Sequence, residues 1–121
     1  MDGADSVSQV DLTITTSEIG SIAVLSLAGE VDLATVPKLR DSLARLLNER
    51  PGRTVAVDLD GLVALDDLGL GVLLGAAGLA RDRGGDIVVV CSDERTLRRT
   101  ASTGLDRAMR VVPSVAAAAA G

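Results

Sequence analysis

Histidine, phenylalanine, tyrosine and tryptophan are all absent from this 121-residue chain, and cysteine occurs once. Without histidine there is no imidazole to act as a base beside a serine or cysteine, no imidazole metal ligand and no ordinary pH switch, which excludes most hydrolase chemistry. Without aromatic rings there is no platform on which bases stack, and a net charge of −5 repels phosphate backbones, so nucleic acid is not an expected partner. A lone Cys91 rules out an internal disulfide. Its place at the end of the apolar run Ile87 to Cys91 reads as a small buried thiol rather than a redox group. Long apolar runs are missing too: Leu68 to Ala80 is interrupted by four glycines and falls short of the roughly 20 residues a membrane helix needs. Met1 to Gln9 is polar and acidic, unlike a secretory signal. The expectation is a cytoplasmic protein with no membrane partner.

What is present is aliphatic. Leu, Val and Ile together number 37, and hydrophobic residues make up 47% of the chain, enough for one ordinary domain with a core of branched side chains. Residues 1–8 read as a flexible N-terminus ahead of a single domain over 9–121. Val10, Leu12 and Ile14 alternate with polar neighbours, the period of a strand with one wet face. Glu18 to Ser21 forms a turn, and Ile22 to Ala28 is nearly continuously apolar, as a strand covered on both faces requires. From Val36 to Leu47 the apolar spacing becomes helical, with Thr35 as a candidate cap, Pro37 in the first turn, and Pro51-Gly52 as the stop. Val55 to Leu59 is a third strand, Asp60-Gly61 a turn, and Leu62 to Leu65 a short apolar piece. A second helix begins after Asp66-Asp67 and ends near Gly84-Gly85. Ile87 to Cys91 is a fourth strand. A third helix, capped by Ser92 or Asp93, runs through Leu97 and Ala101 to Gly104. Val111-Val112 forms a last strand, and the alanine-rich tail either docks as a final turn of helix or frays. Strands alternating with about four helices predict an α/β fold, a mixed sheet with an antiparallel N-terminal hairpin and parallel later strands.

The segment from Asp66 to Gly75 carries the chemistry. Gly69-x-Gly71 opening a helix invites a nucleotide reading with Asp93 as the ribose acid, but the next glycine, Gly75, comes one residue late. Asp66-Asp67 would also place two negative charges where a pyrophosphate belongs. No phosphate-loop Gly-Lys pair exists, since Lys38 is the only lysine. A hard divalent cation such as magnesium suits paired carboxylates, yet an acid at a helix start is already explained by capping and by the helix dipole, worth about 0.3–1 kcal/mol. Gly71, Gly75 and Gly78 share one stripe of the second helix, where each weakens it by about 1 kcal/mol relative to Ala. Tight packing on the sheet is the favoured compensation, a partner backbone in the groove the alternative. Arg95, Arg98, Arg99, Arg107 and Arg110 make the last third basic, which reads as a solvated face or a counterpart for an acidic partner.

The run Val55 to Leu74, Val-Ala-Val-Asp-Leu-Asp-Gly-Leu-Val-Ala-Leu-Asp-Asp-Leu-Gly-Leu-Gly-Val-Leu-Leu, resembles the signature of the STAS domain, the fold of bacterial anti-sigma factor antagonists. Leu27 to Asp32, Gly84-Gly85 and Thr103 to Asp106 extend the resemblance from about Leu12 to Val112. The family's second helix opens with Asp-Ser-Ser/Thr-Gly-Leu, one hydroxyl of which is phosphorylated by a kinase of the anti-sigma factor class. Asp66, Gly69, Leu70 and Gly71 match that motif. Asp67 and Leu68 stand at the hydroxyl positions, so no phosphoacceptor is present there. The resemblance implies a non-catalytic, cofactor-free protein whose partner is an anti-sigma factor of the serine kinase type. Its docking face would comprise Asp32, Asp66, Asp67, Leu68, Gly69, Leu70, Gly71 and Val72, with Leu68, Leu70 and Val72 as its apolar patch. Two consequences stay open: Asp67 as a partial mimic of phosphate, or Leu68 as a contact that leaves the antagonist always on. A nucleotide- or metal-sensing STAS domain, a non-phosphorylatable scaffold in a STAS assembly, and a homodimer are the alternatives.

Overall fold

A computed structural model describes residues 11–120. The expected flexible segment 1–8, and Val10 as part of the first strand, lie outside them. Five strands form one sheet in the order β1-β2-β3-β4-β5. Strands β1 (Leu12–Ile19) and β2 (Ile22–Val31) pair antiparallel from Leu12↔Gly29 to Ile19↔Ile22, and Gly20 supplies the left-handed φ of 60° that their tight turn requires. Strands β3 (Thr54–Leu65), β4 (Asp86–Val90) and β5 (Arg110–Val112) follow in parallel. The predicted hairpin and parallel half are both present.

Alternation along β2 divides the core. Ala23, Leu25 and Leu27 face the side covered by α1 (Val36–Glu49) and α2 (Asp67–Asp82), where they meet Leu39, Leu43, Leu47 and Leu73. Ile22 and Val24 face the other side, with Ala56, Val88, Val90 and Ala118. Ala118 belongs to α5 (Val115–Ala120), so the alanine-rich tail docks on the sheet rather than fraying. Beyond the four expected helices, α3 (Glu94–Thr103) is followed by a short α4 (Leu105–Ala108), separated from it by Gly104 at φ 79°.

Two expectations are corrected here. Asp60-Gly61 is not a turn: β3 runs on to Leu65 through two register shifts against β2, each adding one residue on β3. The close approach makes this a glycine position, since a Cβ on Gly61 would lie 2.6 Å from the Leu27 carbonyl oxygen. The bulged strand also frees Asp60, whose carboxylate accepts bonds from Ser92 N at 2.7 Å, Ser92 Oγ at 2.9 Å and Asp93 N at 3.2 Å. Thr35 precedes α1 but makes no side-chain cap; its hydroxyl donates instead to the Glu30 carbonyl at 2.9 Å. The turn into α1 is held by Asp32, whose Oδ1 accepts from Ala34 N and Thr35 N at 3.0 and 3.1 Å.

Candidate functional site

Strands β2 and β3 end side by side, with Val31 opposite Leu65 and Asp66 N donating to the Val31 carbonyl at 3.1 Å. The β2–α1 loop and the start of α2 therefore emerge together at the carboxyl ends of the parallel strands, the edge where α/β sheets commonly place their sites. Asp66 caps α2: its Oδ1 accepts from Leu68 N at 3.0 Å and Gly69 N at 3.3 Å. Those are the amides that a phosphate at this helix start would need. Gly69 is buried against the strand ends; a Cβ there would collide with Val31 Cγ1 and lie 2.8 Å from Leu65 Cδ1.

These anchors decide which residues face out. Asp67 and Leu68, at the two hydroxyl positions of the motif, are both exposed, Leu68 by 49%. Asp32 and Asp66 are half-buried, Gly71 is open and Val72 is half-buried. Leu70 is corrected: it is 5% exposed and packed in the core, because the capped turn aims position 70 at the sheet, so it adds no area to an outer patch. Two other apolar side chains of the adjoining segments are exposed. Leu33, in the β2–α1 loop, is 76% exposed, and Val63, on the bulged end of β3, is 66% exposed. Leu33 carried no signal in the sequence beyond its place next to Asp32, and Val63 entered only as part of the short apolar piece Leu62 to Leu65.

The glycine stripe is also corrected. A Cβ at Gly71, Gly75 or Gly78 would meet no atom within 4 Å, so close packing on the sheet does not account for them. Gly71 and Gly75 instead line an open groove of about 440 Å³ between α1 and α2, with Arg40, Leu43, Leu68 and Leu79 among its walls.

Other candidates resolve into structure. Asp93 caps α3, accepting from Thr96 N at 3.0 Å and Thr96 Oγ1 at 2.9 Å. Those two bonds hold its carboxyl below the usual value, in the order backbone then side chain. Cys91 is buried, and burial, followed by the nearby Asp60 charge, pushes its thiol up toward the protonated, unreactive form. Lys38 reaches back to the Leu12 carbonyl and lies 3.8 Å from Asp11. Arg99 Nη2 bonds Asp67 Oδ1 at 3.0 Å, a contact across 32 residues that spacing did not reveal. Among the described residues no group of three or more metal-ligating side chains gathers, and no helix is long and apolar enough to cross a membrane.

The family model of the STAS domain matches residues 13–118. The anti-sigma-B factor antagonist of Listeria monocytogenes is 33% identical over 78 residues, which cover 64% of this chain and 68% of that protein. The anti-sigma-F factor antagonist RsfB of Mycobacterium tuberculosis is 29% identical over 103 residues, 83% of this chain and 80% of that one. Among solved structures, an anti-sigma factor antagonist from Mycobacterium paratuberculosis superposes with a TM-score of 0.77 at 23% identity, covering 91% of this chain and 92% of that one.

Proposed function

Because the chain belongs to the STAS domain family, with curated relatives that are anti-sigma factor antagonists, we propose that it too is an anti-sigma factor antagonist, cytoplasmic and without catalytic activity of its own. It binds an anti-sigma factor of the serine kinase type and so releases a sigma factor. The docking face is the adjoining pair of turns at the ends of β2 and β3, which carry the exposed Leu33 and Leu68 together with Asp32, Asp66 and Asp67, with the exposed Val63 on the strand leading into the second turn. Between Asp66 and Val72 there is no serine or threonine, so the kinase partner finds no acceptor hydroxyl at the start of α2. The observation that carries this reading is the half-exposed Leu68 next to the exposed Asp67, on a turn held rigid by the Asp66 cap and by the seat of Gly69.

Exposed leucines on a capped, fixed turn favour binding, because little ordering entropy is lost when a partner covers them. Titration calorimetry of the purified chain against each serine-kinase-type anti-sigma factor of the source bacterium, with ATP or ADP present, tests the reading. Saturable binding to one of them is expected, weakened at least tenfold by Leu68→Asp, with no mass increase of the antagonist after incubation with ATP. Failure of every such factor to bind overturns the proposal, and a phosphate on the docking turns overturns its unswitched form. Saturable heat from ATP, GTP or magnesium alone would favour a sensor instead.

A further inference from the structure

Three carboxylates stand on the proposed face, and each is answered from within the chain. Asp32 accepts from Ala34 N and Thr35 N, and Asp66 accepts from Leu68 N and Gly69 N. Asp67 is different, because its partner is a full positive charge from another helix: Arg99 of α3, at 3.0 Å. The two ends of that bond are unequally held. Asp67 is 87% exposed at its side chain while Arg99 is 39% exposed. The arginine lines a cleft formed with Leu62, Val63 and Leu65 at the end of β3, and its Nε is buried without a partner. Arg98, one residue earlier, turns instead to Glu94 at 4.0 Å on its own helix. Arg99 is thus the fixed member of the pair and Asp67 the tethered one.

We propose that Arg99 is a positioning residue that offsets the charge of Asp67 and draws its carboxylate toward α3, so that the most exposed of the three carboxylates on the docking face carries its own counter-charge. This rests on the docking reading above and specifies how the face tolerates an acid beside the exposed Leu68. A partner that covers an unpaired carboxylate must strip its water without offering compensation, which is costly; a carboxylate already paired within the chain brings its counter-charge along. An arginine suits the task, since its planar, permanently charged head keeps its orientation while its stem packs in the cleft. Asp67 in this state does not present the free negative charge that a mimic of phosphate would need.

The test uses the full chain and the anti-sigma factor that binds it in calorimetry. Arg99→Gln is expected to weaken binding about tenfold, equivalent to about 1.4 kcal/mol. Arg99→Lys, which keeps the charge, should bind more tightly than Arg99→Gln. Adding Asp67→Asn, which removes the charge without supplying a hydroxyl, to Arg99→Gln should restore wild-type affinity, a rescue that a merely structural role for Arg99 would not give. In parallel, the Arg99 guanidinium resonances of the free protein should shift on Asp67→Asn, with the melting temperatures of all variants showing that they remain folded. Equal affinity of Arg99→Gln and wild type, no rescue by Asp67→Asn, or unmoved Arg99 resonances would overturn this role of Arg99 while leaving the docking function standing. A wild-type chain that binds no such factor overturns the docking reading, and the role of Arg99 with it.

Discussion

Helices α1 and α2 cover the same face of the sheet and bury matching rows of leucine, but they treat their outer sides in opposite ways. Outside its buried Val36, Leu39, Leu43 and Leu47, α1 shows water mainly Lys38, Arg40, Asp41, Arg45, Asn48 and Glu49. Outside its buried Gly69, Leu70, Leu73, Ala77 and Ala80, α2 shows Leu68, Leu74 and Leu79 together with Gly71, Gly75 and Gly78, and its charges sit only at its two ends. An ordinary amphipathic helix needs one apolar stripe. A second apolar side on an exposed helix is surface beyond what the core requires, and in α2 Leu68, Gly71, Gly75 and Leu79 carry it along the groove beside α1, with Leu74 on the flank toward Leu105.

The comparison is sharpened most by truncating each kind of leucine. Leu73→Ala, at a site with no exposure, should cost about 2–5 kcal/mol in chemical denaturation, and Leu39→Ala on α1 a similar amount, whereas Leu79→Ala, at 39% exposure, should stay within about 0.5 kcal/mol. A large loss at Leu79 would show that the outer side of α2 is core after all. The glycines of α2 should split likewise. Gly69→Ala forces a Cβ into Val31 and Leu65 and should destabilise by about 1–3 kcal/mol. Gly75→Ala meets nothing and should stabilise by up to about 1 kcal/mol through helix propensity. Thermal unfolding of the two variants, moving in opposite directions, checks this.

The smallest effect concerns acid. The folded-state pKa of Asp93 lies below its unfolded value, so the cap contributes stability above the unfolded value and loses it as pH falls through the folded one. Protection of the Thr96 and Leu97 amides, measured as exchange relative to the intrinsic rate at each pH, should therefore fall below about pH 4, where aspartates protonate. Asp93→Ala should raise exchange at neutral pH and remove that acid-dependent step. Unchanged protection across this range would show that Asp93 does not hold the start of α3.

Much of the architecture was legible because it is written in local periods. Alternation marked β1, a nearly continuous apolar run marked β2, helical spacing marked α1 and α2, and Asp66 and Asp93 announced caps that the structure makes. The candidate site was legible in position and only partly in orientation. Asp67 and Leu68 do stand outward, but Leu70 shares their apolar character and turns inward, and the glycine stripe that suggested packing borders open space. Neither distinction is written in side-chain chemistry. Leu33 and Val63 were missed because exposure of a single apolar residue is decided by the bend of the backbone that carries it.

What the sequence by itself determined is the set of elements, the aliphatic core and the absence of histidine, aromatic and seryl chemistry at the start of α2, since each of these depends on residue type and near-neighbour spacing alone. The tertiary structure decided which side of the Asp66-to-Val72 turn is presented and who answers its charge. The two bulges in β3 set how far that strand runs, the seating of Gly69 on Val31 and Leu65 sets the rotation of α2, and Arg99 reaches Asp67 across 32 residues of chain. Contacts of that range arise only when the elements pack, so no local pattern encodes them.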